Sequence, residues 1–341
     1  MRRLGQRYAQ DRERGAIAVM VAILMVSLIG FTAFAIDVAR MADTKAQLQN
    51  GADASALAIA SNCNMNPSTC TGNAWNLANQ YTPANSLDGS AVPSSVTFPT
   101  SKSVTVGTKT PGTGLPLIFA RIFGQSSAMV TASATAAWGP PGKGSGFPLA
   151  FSVSCYDLKS LTTSVGQVQQ FAYKPGMTCT GPSGTQAPGG WGWLDNSNCQ
   201  TTTSAGQTSI GSDPGNDLPN GCATILQSWV NKINAGSEVD VTFPIFDTVT
   251  LQGTKAQYHI IGYATLRIIG WKLGGGSNNT PGAFRNTAAA LTSLGINSSL
   301  ACSGGNDRCV IAQFIRYDTT DPSFGQGSGQ DLGTTIVYLS N

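Results

Sequence analysis

From Ala16 to Ile36 the chain carries no charged residue: AIAVMVAILMVSLIGFTAFAI. At about 1.5 Å rise per residue a helix over this run reaches roughly 31 Å, enough to cross a hydrocarbon core about 30 Å thick. A buried core helix can also be apolar all round, but it rarely sustains such a run between charged flanks. The stretch beyond, DVARMADTKAQLQNGADASALAIAS, has no proline, one glycine and many Ala, Gln and Leu, so the pattern predicts that the helix continues to about Ser61. Two heptad-spaced rows run along this extension, Met41, Leu48 and Ser55 beside Val38, Lys45, Ala52 and Ile59. Only part of that stripe is apolar, and packing within its own chain is the expectation. Arg40 stands three residues from both Asp37 and Asp43, a spacing that lets it meet either carboxylate on the helix surface.

Further along, Thr71 to about Tyr81 predicts a short helix and Pro83 to Ser95 a loop. Ser103 to Lys109 alternates Val with small polar residues, Leu115 to Gly124 is a compact apolar helix candidate, and Met129 to Trp138 alternates again, giving β, α, β. The Gly139-Pro140-Pro141-Gly142-Lys143-Gly144-Ser145-Gly146 stretch is dense in breaker residues and predicts a linker. Beyond it, Leu149–Cys155, Gln167–Tyr173, Val239–Val249, Gln257–Trp271, Val310–Asp318 and Thr334–Leu339 read as strands, and only Cys222–Ala235 and Asn286–Leu294 read as helices. The predicted fold is therefore α+β. A basic segment (1–15) precedes a transmembrane helix (16–36), which continues as a long helix with a small α/β module (37–138); a Gly/Pro linker (139–146) then leads to a β-rich barrel or sandwich domain (147–341).

Charge orients this scheme. Arg2, Arg3, Arg7, Arg12 and Arg14 precede the run against only Asp11 and Glu13, and Asp37 follows it; the positive-inside rule keeps such an N-terminus in the cytoplasm and exports the rest. Ala33-Phe34-Ala35 has the small-x-small form of a cleavage site, but the run is long for a signal peptide and helix signals continue past it. The expectation is a retained single-pass membrane anchor, with the bulk of the chain extracytoplasmic. A net charge of +3 drawn from 11% charged residues offers no nucleic-acid footprint.

All eight cysteines, Cys63, Cys70, Cys155, Cys179, Cys199, Cys222, Cys302 and Cys309, follow the apolar run. An even count on one side of a span predicts disulfides in an oxidising compartment. Zinc lacks both a C-x2-C pair and a second histidine beside His259. Chain proximity suggests local bridges between Cys63 and Cys70 and between Cys302 and Cys309. The middle four allow three pairings, of which Cys155 with Cys179 and Cys199 with Cys222 are the nearest in sequence.

Catalytic chemistry has little to stand on. Ser-His-Asp catalysis needs His259 as base, yet Tyr258-His259-Ile260 lies in a predicted strand and no G-x-S-x-G elbow is present. Asp157, Asp195, Asp240, Asp247 and Asp318 are scattered. Ser212 to Asp217 offers oxygen ligands without the spacing of a calcium loop. Gly142, Gly144 and Gly146 lack a Walker-type Gly-Lys-Ser/Thr. No catalytic, cofactor or metal site is predicted. Trp191-Gly192-Trp193-Leu194-Asp195 is the most distinctive local motif; exposed, its two indoles would form an interaction platform, and buried they would fill a core.

The residues Arg12-Glu13-Arg14-Gly15-Ala16-Ile17-Ala18-Val19, then the span, then Ala35-Ile36-Asp37-Val38-Ala39-Arg40 and Leu48-Gln49-Asn50-Gly51-Ala52-Asp53-Ala54-Ser55-Ala56-Leu57-Ala58 resemble the N-terminal region of the TadE/TadG-like proteins of Flp (tight adherence) pilus assembly. The resemblance covers about residues 12 to 61 and implies a bacterial envelope protein of a type IVb pilus or related apparatus, with protein partners in that complex. Pseudopilin members are cut after a Gly and favour Glu at the fifth position beyond it. Counting from Gly15 that position is Met20, so the resemblance implies an uncleaved, TadG-like anchor. No D-x-S-x-S motif of a von Willebrand A domain is present, and metal-dependent adhesion is not implied. The resulting expectation is a non-enzymatic structural or assembly protein. The alternatives are a surface adhesin or carbohydrate-binding module using Trp191 and Trp193, and an envelope hydrolase.

Overall fold

In the computed structural model one helix, α1 (Leu4–Met65), carries both the apolar run and its extension. The structure describes residues 4–156, 165–173, 178–180, 186–188, 191–211, 218–251, 255–274, 281–302, 304–305, 307–321 and 323–340. The chain divides into two units, Met1–Ala137 with Leu339–Asn341, and Trp138–Tyr338.

In the first unit α1 changes character along its length. The side chains of Ile17 to Ile36 are almost all exposed, and a sustained all-round apolar surface of this kind suits lipid. The two hydroxyls of the run are satisfied inside the helix: Ser27 Oγ donates to the Ile23 carbonyl (3.0 Å) and Thr32 Oγ1 to that of Leu28 (2.8 Å). No polar side chain there therefore needs water. From Leu48 onward one face is buried, through Leu48, Ala52, Ser55, Ala56, Ile59, Ala60 and Cys63, the i, i+4, i+7 spacing of an amphipathic stripe.

That face lies on α2 (Cys70–Ala84), whose own buried row is Cys70, Ala74, Ala78 and Thr82. Small residues on both sides let the backbones approach. At Gly51 a Cβ would sit 2.9 Å from the Thr82 carbonyl oxygen, and Ser55 and Thr82 hydroxyls meet at 2.9 Å. The Cys63–Cys70 disulfide ties the end of α1 to the start of α2. An antiparallel sheet completes the unit, with β1 (Val92–Thr100) on β2 (Ser103–Lys109) and β2 on β3 (Thr131–Gly139). Buried Val104 and Val106 lie on β2, and Thr108 Oγ1 donates to the Leu48 carbonyl at 2.9 Å.

The second unit is the expected β-rich, disulfide-containing domain, and its main sheet has half-barrel form. Its strands are β4 (Lys143–Gly146), β5 (Leu149–Ser152), β6 (Val168–Tyr173), β7 (Trp191–Trp193), β8 (Thr201–Ser204), β9 (Thr208–Ile210), β10 (Asp240–Thr250), β11 (Gln257–Lys272) and β12 (Arg308–Ile315). The main order is β7-β5-β10-β11-β12-β6, with β9 also on β11 and β4 paired separately with β8. Helix α3 (Cys222–Asn234) turns Leu226, Trp229 and Val230 inward, into a core shared with Phe147, Phe151, Phe171, Phe243 and Trp271. A short α4 (Ala288–Ser293) buries Leu291 beside Cys302 and Cys309.

Three local expectations are corrected. Leu115–Gly124 is not a packed apolar helix: only Ala120–Phe123 turns, as a single 3-10 turn, because Pro116 has no N–H and the N–H groups of the next residues go elsewhere. The end of the expected 83–95 loop is the start of β1, a strand whose two prolines hid its pattern. The Gly/Pro stretch 139–146 is not all linker, since Lys143–Gly146 pairs with Thr201–Ser204; its glycines serve close approach, as at Gly142, where a Cβ would fall 2.1 Å from Gly327.

Candidate functional site at the end of the apolar run

Asp37 is the first charged residue after the apolar run, and it is only 2% exposed. Its carboxylate accepts three backbone N–H bonds, from Ile118 at 2.9 Å, Phe119 at 2.8 Å and Ala120 at 2.7 Å. These donors open the 3-10 turn Ala120–Phe123, where the helical pattern leaves N–H groups without intrahelical acceptors. Asp37 thus caps that turn from another element. Burial pushes its pKa up, but the three N–H donors and the nearby Arg40 charge outweigh that and hold it below the ordinary carboxylate value. One turn further along α1, Arg40 Nη1 donates to the Pro116 carbonyl at 2.9 Å. Asp37 and Arg40 therefore clasp one segment, the carboxylate taking its N–H groups and the guanidinium its carbonyl. The expected helix-surface ion pair with Asp37 or Asp43 gives way to this contact: among the described ion pairs none involves Arg40.

A cavity of about 790 Å³ opens beside the clasp. Ala39, Arg40, Asp43, Gln47 and Leu48 form its helical wall, and the 86–91 and 110–116 segments form the other. Gln47 holds it in shape, accepting the Leu87 N–H at 3.0 Å and donating to Asp43 at 2.8 Å.

Residues 15–61 match the family model of putative Flp pilus-assembly TadE/G-like proteins. None of the curated proteins and none of the solved structures matches the chain. The TadE/G-like segment thus contains the apolar run, the clasp residues Asp37 and Arg40, and most of the α1 face that receives α2. Its single helix is long and apolar enough to cross a membrane, as a single-pass anchor does.

The remaining predicted sites lie outside that segment. Cys199 and Cys222 are disulfide-bonded and fully buried, tying the turn at 197–200 to the first residue of α3. Cys155 is disulfide-bonded, while the side chain of Cys179 falls outside the described residues. Cys302 and Cys309 correct the expected staple: they are buried, unbonded thiols. Asn286 fixes the first, donating to its carbonyl at 2.9 Å, and strand pairing with Lys272 fixes the second. The two side chains meet through a hydrogen bond rather than a covalent one.

Of the two indoles of the Trp191-Gly192-Trp193 motif, the structure describes the side chain of one. Trp193 is 6% exposed and packs against Phe147 at 5.7 Å between ring centroids, so it fills the core, and the side chain of Trp191 falls outside the described residues. His259 has one carboxylate partner that its sequence neighbourhood did not reveal, Asp247, at 2.8 Å from Nδ1. The pair arises because β10 and β11 run side by side, with a register shift between Phe246 and Thr248. Both residues are partly exposed, and none of the three described cavities is lined by His259. Asp240 is engaged by Arg267 at 2.8 Å. Asp157 and the whole 212–217 segment considered for calcium fall outside the described residues. Among the described residues no group of three or more His, Cys, Asp or Glu gathers at metal-binding distance.

Proposed function

We propose that this chain is a membrane-anchored, non-enzymatic, TadG-like structural or assembly protein of a Flp/type IVb pilus or a related envelope apparatus. The observation that carries the reading is the family match over residues 15–61, the segment that also supplies the anchor and the clasp. In this reading the arginine-rich N-terminus stays in the cytoplasm, α1 is retained in the inner membrane, and both units beyond Asp37 are exported. Disulfides at Cys63–Cys70 and Cys199–Cys222 support export into an oxidising compartment. The partners are other proteins of the assembly, not nucleic acid.

The test is a chromosomal deletion in the native bacterium, scored by counting surface pili in electron micrographs and complemented with the full chain or with an Asp37→Ala, Arg40→Ala variant. Loss of pili on deletion, restored by the full chain and not by the variant, is the expected result. Unchanged pili in the deletion strain would sink the assignment.

A further inference from the structure

The segment held by the clasp presents large apolar side chains to the outside. Ile118 is 56% exposed, Ile122 79% and Phe123 84%, and Arg121 between them is exposed as well. Four residues of 3-10 turn with no protein over their apolar side chains are costly to leave in water. Their position is set by α1. Arg40 binds the carbonyl of Pro116, and Asp37, three residues nearer the apolar run, binds the N–H groups of 118–120. The chain therefore descends α1 toward the run as it passes from Pro116 to Ala120, and the exposed turn is its next step. Ile36, the last residue of the run, immediately precedes the carboxylate that holds this segment.

We propose that residues 116–124 form an interfacial anchor: Ile118, Ile122 and Phe123 enter the headgroup and acyl boundary of the leaflet from which α1 emerges, with Arg121 among the lipid phosphates. This rests on the reading of α1 as a membrane span. Apolar side chains flanked by a cation are what that boundary accepts, the cation reaching phosphate while the rings and branched chains leave water. The consequence is mechanical. A single helix is free to rotate and tilt in a bilayer, whereas a second contact fixed to it through Asp37 and Arg40 sets both.

The experiment uses the full chain with a photoreactive benzoylphenylalanine in place of Phe123, Ile29 or Asn50. Each protein is reconstituted into vesicles of phosphatidylethanolamine and phosphatidylglycerol carrying a clickable acyl chain. Ile29 reports the span, and Asn50 is exposed on the same helix roughly 20 Å beyond Ile36. Lipid adducts at position 123 comparable to those at 29 and at least roughly tenfold above those at 50 are expected. Adducts at 29 with none above the level of 50 at 123 would overturn the interfacial anchor and leave the span intact. Protein adducts in place of lipid at 123 would overturn it too. Absence of lipid adducts at 29 would overturn the reading of α1 as a span, and the proposal with it.

Discussion

The hydroxyls of Ser55 on α1 and Thr82 on α2 meet at 2.9 Å. One turn earlier on α1, Gly51 faces the Thr82 backbone, and a Cβ there would come within 2.9 Å of its carbonyl oxygen. The contact requires a residue without a side chain, because a carbonyl cannot rotate away as a flexible side-chain tip can. Gly51→Val should destabilise the first unit by about 1–3 kcal/mol through overpacking, while Asn50→Ala, on the exposed side of the same turn, should change little. Urea unfolding of the full chain in detergent micelles, followed by proteolytic release of fragments from the first unit, reads the difference. Equal midpoints for the two variants would refute this close-packed account.

The clasp predicts a pH dependence of the 116–124 segment. Asp37 titrates below its ordinary value of 3.8 in the folded chain, so its stabilising effect is complete well above that value. The effect is lost as the pH falls below 3.8 toward the lowered folded value. Hydrogen exchange of the peptide spanning Ile118 to Ala120, corrected for intrinsic rates, should accelerate over that acid window. Asp37→Asn should exchange faster at neutral pH and lose the acid-dependent step. An unchanged profile in the variant would show that the carboxylate does not hold these N–H groups.

The sequence displays the local patterns of this molecule and hides its distant pairings. The span is legible because lipid requires an unbroken apolar run. Helix α3 is legible because Leu226, Trp229 and Val230 recur at helical spacing, and β11 because β-branched and aromatic residues crowd between Gln257 and Lys272. Arg40 pointed to a neighbouring carboxylate on its own helix, but its partner is the carbonyl of Pro116, 76 positions away. Backbone acceptors carry no signature in a sequence. Residues 115–124 read as a compact apolar helix because apolar content alone does not show that the N–H groups of 118–120 go to Asp37 on another element. His259 seemed partnerless because Asp247 lies on the neighbouring strand, and only the register of β10 on β11 joins them.

The two fully defined disulfides should differ in weight. Cys199 and Cys222 close a loop of 23 positions and Cys63 and Cys70 one of 7. In the chain-entropy account the first contributes about 3 kcal/mol and the second about 2 kcal/mol. Replacing Cys199 and Cys222 together with alanine should therefore lower the unfolding free energy of the second unit more than the double alanine variant at Cys63 and Cys70 lowers that of the first. Differential alkylation along a urea gradient would report each unit separately. The opposite ranking would assign the larger role to something other than loop closure.

Cys302 and Cys309 invite a chemical test. Both thiols are buried; the hydrogen bond from Cys309 draws the Cys302 pKa down, while burial pushes that of Cys309 up. Cys302 is thus the thiol that reaches the thiolate form more readily and attacks first, and Cys309 is the resolving partner. Treated with oxidised glutathione under mild denaturation, the Cys302 thiolate should displace one glutathione from the reagent and form a mixed disulfide. Cys309 then displaces the second, closing a Cys302–Cys309 bond with release of reduced glutathione. Under native conditions both should resist alkylation, because neither sulfur is open to the reagent. Peptide mass spectrometry after oxidation and alkylation should find residues 302 and 309 cross-linked, and Cys309→Ser should stop at the glutathione adduct on Cys302. Adducts retained on both residues of the unsubstituted chain would show that the two sulfurs do not come within bonding reach.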